Sequence, residues 1–141
     1  MLPEVKEWLD FAKMDLDAAK HLNDTFYPKP LHIICYHCQQ SAEKALKAII
    51  VAHGKSGGMP KMHDLEFLLN QMKNYVVIKD EYWDYAEALT PYGVEVRYPG
   101  GTEISEVETE LGLKYAEALY MWAVEEIDKF EVPLNEDQEE N

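Results

Sequence analysis

The fold of this 141-residue chain is decided by residues 31–53, which read LHIICYHCQQSAEKALKAIIVAH. Apolar residues recur along this stretch at three- and four-residue steps, the period of an amphipathic α-helix. They are Leu31, Ile34, Cys35, Cys38, Ala42, Ala45, Leu46 and Ile49. A second strip on the opposite side consists of Ile33, His37, Gln40, Lys44 and Val51. We therefore predict a central helix, whose second strip meets another helix or a second subunit.

The same periodicity predicts helices on both sides of the central one. The first covers about residues 3–23, a third opens at 63–65, and a short aromatic-rich helix covers about 80–90. The last begins after Ser105, which forms a capping-box pattern with Glu108, and runs to about Phe130. Its predicted inward residues are Val107, Leu111, Tyr115, Ala118, Leu119, Trp122 and Ile127.

These elements predict an all-α fold, an antiparallel up-down helical bundle of four main helices plus one short helix. The bundle covers residues 1–131, and residues 132–141 form an acidic tail that we predict to be disordered. Between the last two helices lies a loop, about residues 92–101, in which Val94, Val96 and Tyr98 alternate as in a short extended piece.

The charge of the chain is strongly negative, with a formal net charge of −14 and a single arginine. Nucleic-acid binding draws its affinity largely from lysine and arginine, so stand-alone nucleic-acid binding is not expected. The N-terminus is charged and is followed by no signal-like apolar segment, which predicts a cytoplasmic protein without membrane association.

The two cysteines, Cys35 and Cys38, resemble half of a metal site at first sight. A structural zinc site needs four ligands, and no second cysteine pair exists. Both cysteines fall on the apolar stripe, where free cysteine behaves as a small hydrophobe. We predict core packing, with no metal site and no cofactor.

Several polar residues are candidates for a binding site, each with a structural alternative. His37, Gln40 and Lys44 share one helix face, and Gln39, Glu43 and Lys47 form the neighbouring row. These residues could contact a ligand, or they could fix helix register and form an ordinary Glu43–Lys47 pair.

Two further candidates lie outside the central helix. Arg97 lies in a loop with Tyr92 and Tyr98. As the only arginine, it is the one side chain that could bind a phosphate in a bidentate manner. Alternatively, it anchors the loop by pairing with a nearby carboxylate. His63 at the start of a helix could act as donor or base, or it could cap the helix.

Three motifs, in this order, resemble those of the HEPN domain family (higher eukaryotes and prokaryotes nucleotide-binding). The first is residues 37–48, HCQQSAEKALKA; the second is His63-Asp64-Leu65; the third is Arg97-Tyr98-Pro99. The resemblance covers about residues 3–130. It implies an antiparallel helical bundle that commonly forms a homodimer.

The resemblance also implies two functional classes. Many HEPN proteins are metal-independent endoribonucleases, several of them toxins, with an arginine and a later histidine that are separated by four to six residues. Others bind nucleotides or accompany a minimal nucleotidyltransferase. After Arg97, the corresponding positions are Thr102, Glu103 and Ile104, and no histidine follows His63 anywhere in the chain.

We therefore expect a non-catalytic HEPN-type module that binds a nucleotide or phosphorylated ligand, partners a nucleotidyltransferase in a toxin–antitoxin-like pair, or does both. The sequence leaves open whether the chain is an enzyme, and the preferred hypothesis is that it has no catalytic activity. The expected ligand-binding residues are Arg97, Tyr98, His37, Gln40, Lys44, Lys47, His63 and Tyr92. The alternatives are an endoribonuclease with a non-standard site and a pure interaction or dimerisation domain.

Overall fold

The computed structural model describes residues 1–55, 64–94, 99–101 and 103–140, with the backbone alone over 131–140. Its α-helices in these ranges are α1 (Pro3–Thr25), α2 (Leu31–Ala52), α3 (Leu65–Met72), α4 (Asp80–Leu89) and α5 (Glu106–Glu140). A 3-10 turn, Thr90–Gly93, follows α4. No strand occurs in the described part of the chain, and the prediction of an all-α fold is confirmed. Val96 and Tyr98, predicted as part of an extended piece, lie outside the described residues.

Side-chain contacts show that α1 and α2 run in opposite directions, as do α4 and α5. Along the α1–α2 seam, Lys47 Nζ lies 5.5 Å from the Trp8 ring centroid, and His37 Nδ1 lies 2.8 Å from Asp15 Oδ1. Residue numbers thus rise on one helix as they fall on the other. The α4–α5 seam follows the same rule, since Tyr82 packs on Trp122 at 4.8 Å and Tyr85 on Tyr115 at 4.4 Å.

The third position of the up-down bundle is therefore taken by α4, which the sequence had suggested as the minor helix. The eight-residue α3 is an additional short helix, and its first residue meets the end of α4. There, the backbone N–H of Leu65 donates a hydrogen bond of 3.1 Å to Thr90 Oγ1.

The core is built around α2, as predicted. The predicted stripe is fully buried from Ile34 to Ile49, and Leu31 is half-buried. Residues outside that stripe are buried too: Gln39, Ser41, Glu43, Ala48, Ile50 and Val51. The hydroxyl of Ser41 donates to the backbone oxygen of Ala12 at 2.8 Å and ties α2 to α1. Two residues of the second strip, His37 and Lys44, also contact α1, through Asp15.

The inward face of α5 differs from the prediction in the first half of the helix. Val107 is 70% exposed and Leu111 is 39% exposed, whereas Thr109, Gly112 and Ala116 are buried. A Cβ built on Gly112 would lie 3.8 Å from Leu89 Cδ2 and 4.0 Å from Cys35 Sγ. The helices approach so closely here that small residues occupy the interface and larger ones are turned outward.

Of the other residues predicted inward on α5, Tyr115 and Ala118 are half-buried, and Leu119, Trp122 and Ile127 are buried. The helix continues to Glu140, beyond the end near Phe130 that the periodicity predicts. The division of the chain into a bundle and a tail after residue 131 stays a prediction.

Two helix starts are fixed by side chains. Ser105 and Glu108 form the predicted capping box, because Glu108 N–H donates to Ser105 Oγ at 3.1 Å and Ser105 N–H donates to Glu108 Oε1 at 3.3 Å. Asp64 caps α3 by accepting from the N–H groups of Glu66 and Phe67. Asp64 is thus the N-cap of α3. None of the helices in the described ranges holds a segment long and apolar enough to span a bilayer.

Candidate functional site

An aspartate that sequence analysis did not single out organises one side of the α1–α2 seam. Asp15 of α1 accepts from His37 Nδ1 at 2.8 Å through one oxygen and from Lys44 Nζ at 2.5 Å through the other. His37 and Lys44 lie two turns apart on one face of α2, so a single carboxylate can bridge them. The ring of Phe11 lies beside Lys44, with its centroid 5.8 Å from Nζ.

The Asp15 carboxylate is half-buried, and its ionised form is nevertheless favoured. Burial raises the pKa of Asp15, but the hydrogen bonds from His37 and Lys44 outweigh it and hold the pKa below its ordinary value. An ionised carboxylate only accepts hydrogen bonds, so the proton of the 2.8 Å contact belongs to His37 Nδ1. Asp15 therefore orients the imidazole and leaves its Nε2 as the nitrogen that can meet a ligand.

A second polar network, the Gln39 network, runs along α2 beside the first. Gln40 Nε2 donates to Gln39 Oε1 at 2.7 Å, Gln39 Nε2 donates to Glu43 Oε1 at 3.2 Å, and Lys47 Nζ lies 3.1 Å from Glu43 Oε2. The side chains of Lys47 and Glu43 are only 12% and 7% exposed. This pair is therefore a buried ion pair within a network rather than the ordinary surface pair that its spacing suggests.

The 3-10 turn closes over the Gln39 network. Gly93 is buried, and a Cβ built on it would lie 2.8 Å from Gln39 Cδ and 2.9 Å from Gln39 Oε1. Only a residue without a side chain allows the backbone to approach the amide this closely. The loop that carries Arg97 thus begins directly on α2, at Gln39.

Five of the eight candidate residues lie in the described part of the chain. His37 and Lys44 meet through Asp15, and Gln40 and Lys47 belong to the Gln39 network. Tyr92 lies apart from these four and lines a cleft between the 3-10 turn and α5. Arg97, Tyr98 and His63 lie outside the described residues, and their roles stay predictions.

The lysines differ from the expectation in one respect that matters for ligand binding. Each has a carboxylate partner, Asp15 for Lys44 and Glu43 for Lys47. Their positive charge is therefore largely compensated within the protein. The α1–α2 seam offers hydrogen-bonding groups and a half-buried imidazole rather than a strong excess of positive charge.

Residues outside the predicted ligand-binding set complete both networks. Asp15 lies on α1, far from its partners in sequence, and no local pattern indicates this long-range contact. Gln39 and Glu43 belong to the motif but sit one position from the predicted polar strip. Their burial follows from the contact with Gly93 and α1, which helical periodicity does not reveal.

The cysteines are core residues, as predicted. Cys35 and Cys38 are both free and fully buried. Burial raises the pKa of both thiols, and the Cys35 thiol donates to Thr109 Oγ1 at 3.5 Å. Within the described ranges, no group of three or more histidine, cysteine, aspartate or glutamate side chains is arranged to bind a metal ion.

Comparison with known proteins gives one family and several similar structures. A sequence model of the HEPN domain matches residues 5–127. A protein of Thermus thermophilus has a similar structure, with a TM-score of 0.75 and 24% identity over 89% of this chain and 99% of the other. An archaeal HEPN homologue gives a TM-score of 0.68 and 20% identity, again over 89% and 99% of the two chains.

A HEPN domain protein of Thermotoga maritima is also similar, with a TM-score of 0.66 and 28% identity over 84% of this chain and 95% of the other. No curated protein gave a significant match. At these identities the similar structures share the fold, and they carry no argument about activity.

Proposed function

The chain belongs to the HEPN domain family, and from that premise we propose that it is a non-catalytic binding module. It binds a nucleotide or another small phosphorylated ligand, partners a minimal nucleotidyltransferase in a toxin–antitoxin-like pair, or does both. The face that binds the ligand combines the α1–α2 seam with the loop that carries Arg97.

The contact of Gly93 with Gln39 is the observation that supports this assignment most directly. Arg97 follows Gly93 by four residues in the sequence, and four residues span at most roughly 14 Å. The segment that leads to the only guanidinium therefore starts from Gly93, which packs on Gln39 of α2. Arg97 would bind the phosphate, because Lys44 and Lys47 already bind carboxylates.

Around that phosphate, half-buried polar groups would contact the remaining parts of the ligand. His37, oriented by Asp15, would present Nε2, and Gln40 would contribute its amide. Tyr98 is assigned as the stacking surface in preference to Tyr92, whose ring lines a different cleft. His63 keeps its predicted role as a further polar contact.

Isothermal titration calorimetry with ATP and GTP tests the ligand-binding half of the proposal. We expect binding by the intact protein, a loss of at least about tenfold in affinity for Arg97→Ala, and a partial loss for Arg97→Lys, which keeps the charge but not the bidentate geometry. Lys129→Ala is the matched control, because it removes a cation from an exposed ion pair on α5. No heat with either nucleotide for any of these proteins would refute nucleotide binding.

The second candidate function is a metal-independent endoribonuclease, favoured by the Asp15–His37 hydrogen bond. An imidazole held by a carboxylate is suited to acid–base work on a phosphodiester. Against it stands the absence of a histidine at positions 102–104, which four to six residues separate from Arg97. Incubation with total RNA or tRNA in the presence of EDTA decides between the two. Cleavage that is lost in His37→Ala or His63→Ala would overturn the non-catalytic assignment.

A further inference from the structure

A cleft of about 470 Å³ lies between the 3-10 turn and the first half of α5, on a part of the surface that the proposed function does not use. The described residues that line it are Glu87, Ala88, Pro91, Tyr92, Glu108, Leu111, Gly112 and Tyr115. They come from the end of α4, the 3-10 turn and two turns of α5.

The floor of the cleft is apolar and rigid. Gly112 lacks a side chain, and a Cβ built on it would lie 3.8 Å from Tyr92 Cε2. Tyr115 is held in place by a parallel stack on Tyr85, with centroids 4.4 Å apart and an interplanar angle of 13°. A preformed aromatic and aliphatic floor of this kind loses little conformational freedom when a partner binds.

The rim of the cleft is acidic. Glu87 on one side and Glu108 on the other are exposed, and neither takes part in an ion pair with another described residue. The helix α4 carries four carboxylates and no basic residue, and α5 adds Glu106 and Glu110 near its start. Burial is the main cause that raises the pKa of Tyr92 to about 12, and the neighbouring Cys35 and Glu108 add to it.

We propose that this cleft is a docking site for a basic segment of another protein, in which arginine or lysine alternates with apolar residues. Its cations would meet Glu87 and Glu108 and the faces of Tyr92 and Tyr115, while its apolar side chains would occupy the floor around Leu111. Nucleic acids and anionic membranes are repelled by the same rim. A second copy of this chain, with its net charge of −14, is a poor electrostatic match.

The test uses the full chain and a fluorescein-labelled twelve-residue probe peptide of alternating arginine and leucine, followed by fluorescence anisotropy. We expect saturable binding that weakens with added salt. The double variant Glu87→Gln/Glu108→Gln should bind about tenfold more weakly, since it removes both rim charges. Glutamine at 108 retains the capping box, so the start of α5 is preserved.

Two matched controls separate this site from general charge attraction. The double variant Glu125→Gln/Asp128→Asn makes the same charge change at exposed positions further along α5, and it should bind the probe within about twofold of the intact protein. A peptide of alternating glutamate and leucine should not bind. Equal losses in the two double variants, or equal binding of the two peptides, would overturn the proposal.

The half-exposed Leu111 provides an independent test of the floor. Leu111→Ser should weaken binding of the arginine–leucine peptide about fivefold or more, with an unchanged far-ultraviolet circular dichroism spectrum.

Light scattering of the same variants shows whether a second copy of the chain occupies the cleft instead. Conversion of a dimer to a monomer by Leu111→Ser would assign the cleft to a second copy and refute the basic partner. Nucleotide titrations should be unaffected by the cleft variants, so failure here is distinguishable from failure of the proposed function.

Discussion

Two glycines, Gly93 and Gly112, differ in what an added methyl group would meet. At Gly93 the Cβ would lie 2.8 Å from Gln39 Cδ, and Gln39 is fully buried and hydrogen-bonded to Gln40 and Glu43. At Gly112 the nearest atoms lie at 3.8 Å, an ordinary contact. We expect Gly93→Ala to lower the free energy of unfolding by about 1–3 kcal/mol, because the amide has no room to move.

Gly112→Ala is the control for that substitution. Because the position is helical and a methyl group fits, we expect it to be neutral or to stabilise the protein by about 0.5–1 kcal/mol. Urea denaturation of both variants measures the difference. Similar stabilities for the two variants would contradict the close packing of Gly93 on Gln39.

His53 at the end of α2 makes stability depend on pH. Its ring packs between Tyr75, at 4.5 Å, and Phe130, at 4.2 Å, and its buried Nε2 has no hydrogen-bond partner among the described residues. Burial lowers the pKa of His53, which outweighs the opposite effect of Glu126. The unfolded chain, with a histidine pKa of about 6.5, therefore takes up this proton before the folded chain does.

The free energy of unfolding should accordingly fall as pH decreases through about 6.5 towards the lower pKa of the folded state. The substitution His53→Phe keeps the aromatic packing and removes the titratable group. The free energy of unfolding of this variant should therefore decrease less between pH 7.5 and 5.5 than that of the intact protein. Urea titrations at these pH values measure the effect, with His21→Phe at an exposed position of α1 as the control. Equal pH dependence in the two variants would refute the role of His53.

At the scale of the helices, the start of α5 depends on one hydroxyl. Ser105 Oγ accepts from the Glu108 N–H at 3.1 Å, and Glu108 returns a bond to the Ser105 N–H. Ser105→Ala should cost about 1 kcal/mol of stability, whereas Ser105→Thr retains the cap and should cost little. Thermal unfolding compares the two, and an alanine variant as stable as the threonine variant would show that the cap contributes nothing.

The helices also show which parts of the fold a sequence pattern can predict. The core stripe of α2 was predictable because its residues from Ile34 to Ile49 recur at the helical period. The prediction of the inward face of α5 was partly wrong because it followed the large residues Val107 and Leu111. Close approach of α2 and α4 selects Gly112 instead, and the distance between helices cannot be inferred from one helix alone.

The candidate site was predictable only where its residues are local to α2. His37, Gln40, Lys44 and Lys47 could be proposed from spacing, but their partner Asp15 depends on the register between α1 and α2. That register results from packing along the whole seam. The pairing of Lys44 with Asp15 could not be predicted for the same reason, whereas the i,i+4 spacing of Glu43 and Lys47 had already suggested their ion pair.

For the whole molecule, we predict a homodimer formed through the outer part of the second strip. Ile33 is 52% exposed, and α1 leaves Phe11 46% and Met14 61% exposed. Light scattering at micromolar concentration should give about twice the chain mass of 16.3 kDa. Ile33→Glu should give the monomer mass, and added salt should favour the dimer because each copy carries a net charge of −14. A strict monomer under all conditions would refute this prediction.

The central position of α2 also determines where the molecule can open. α1, α4 and α5 each keep one face in solvent, so local fluctuations can begin there while residues 38–49 of α2 stay enclosed. The amide hydrogens of residues 38–49 should then exchange with solvent only through global unfolding, and those in the first turn of α1 should exchange through fraying. The protein would thus contain one slowly exchanging foldon, α2, which is also the helix that carries His37 and Lys44.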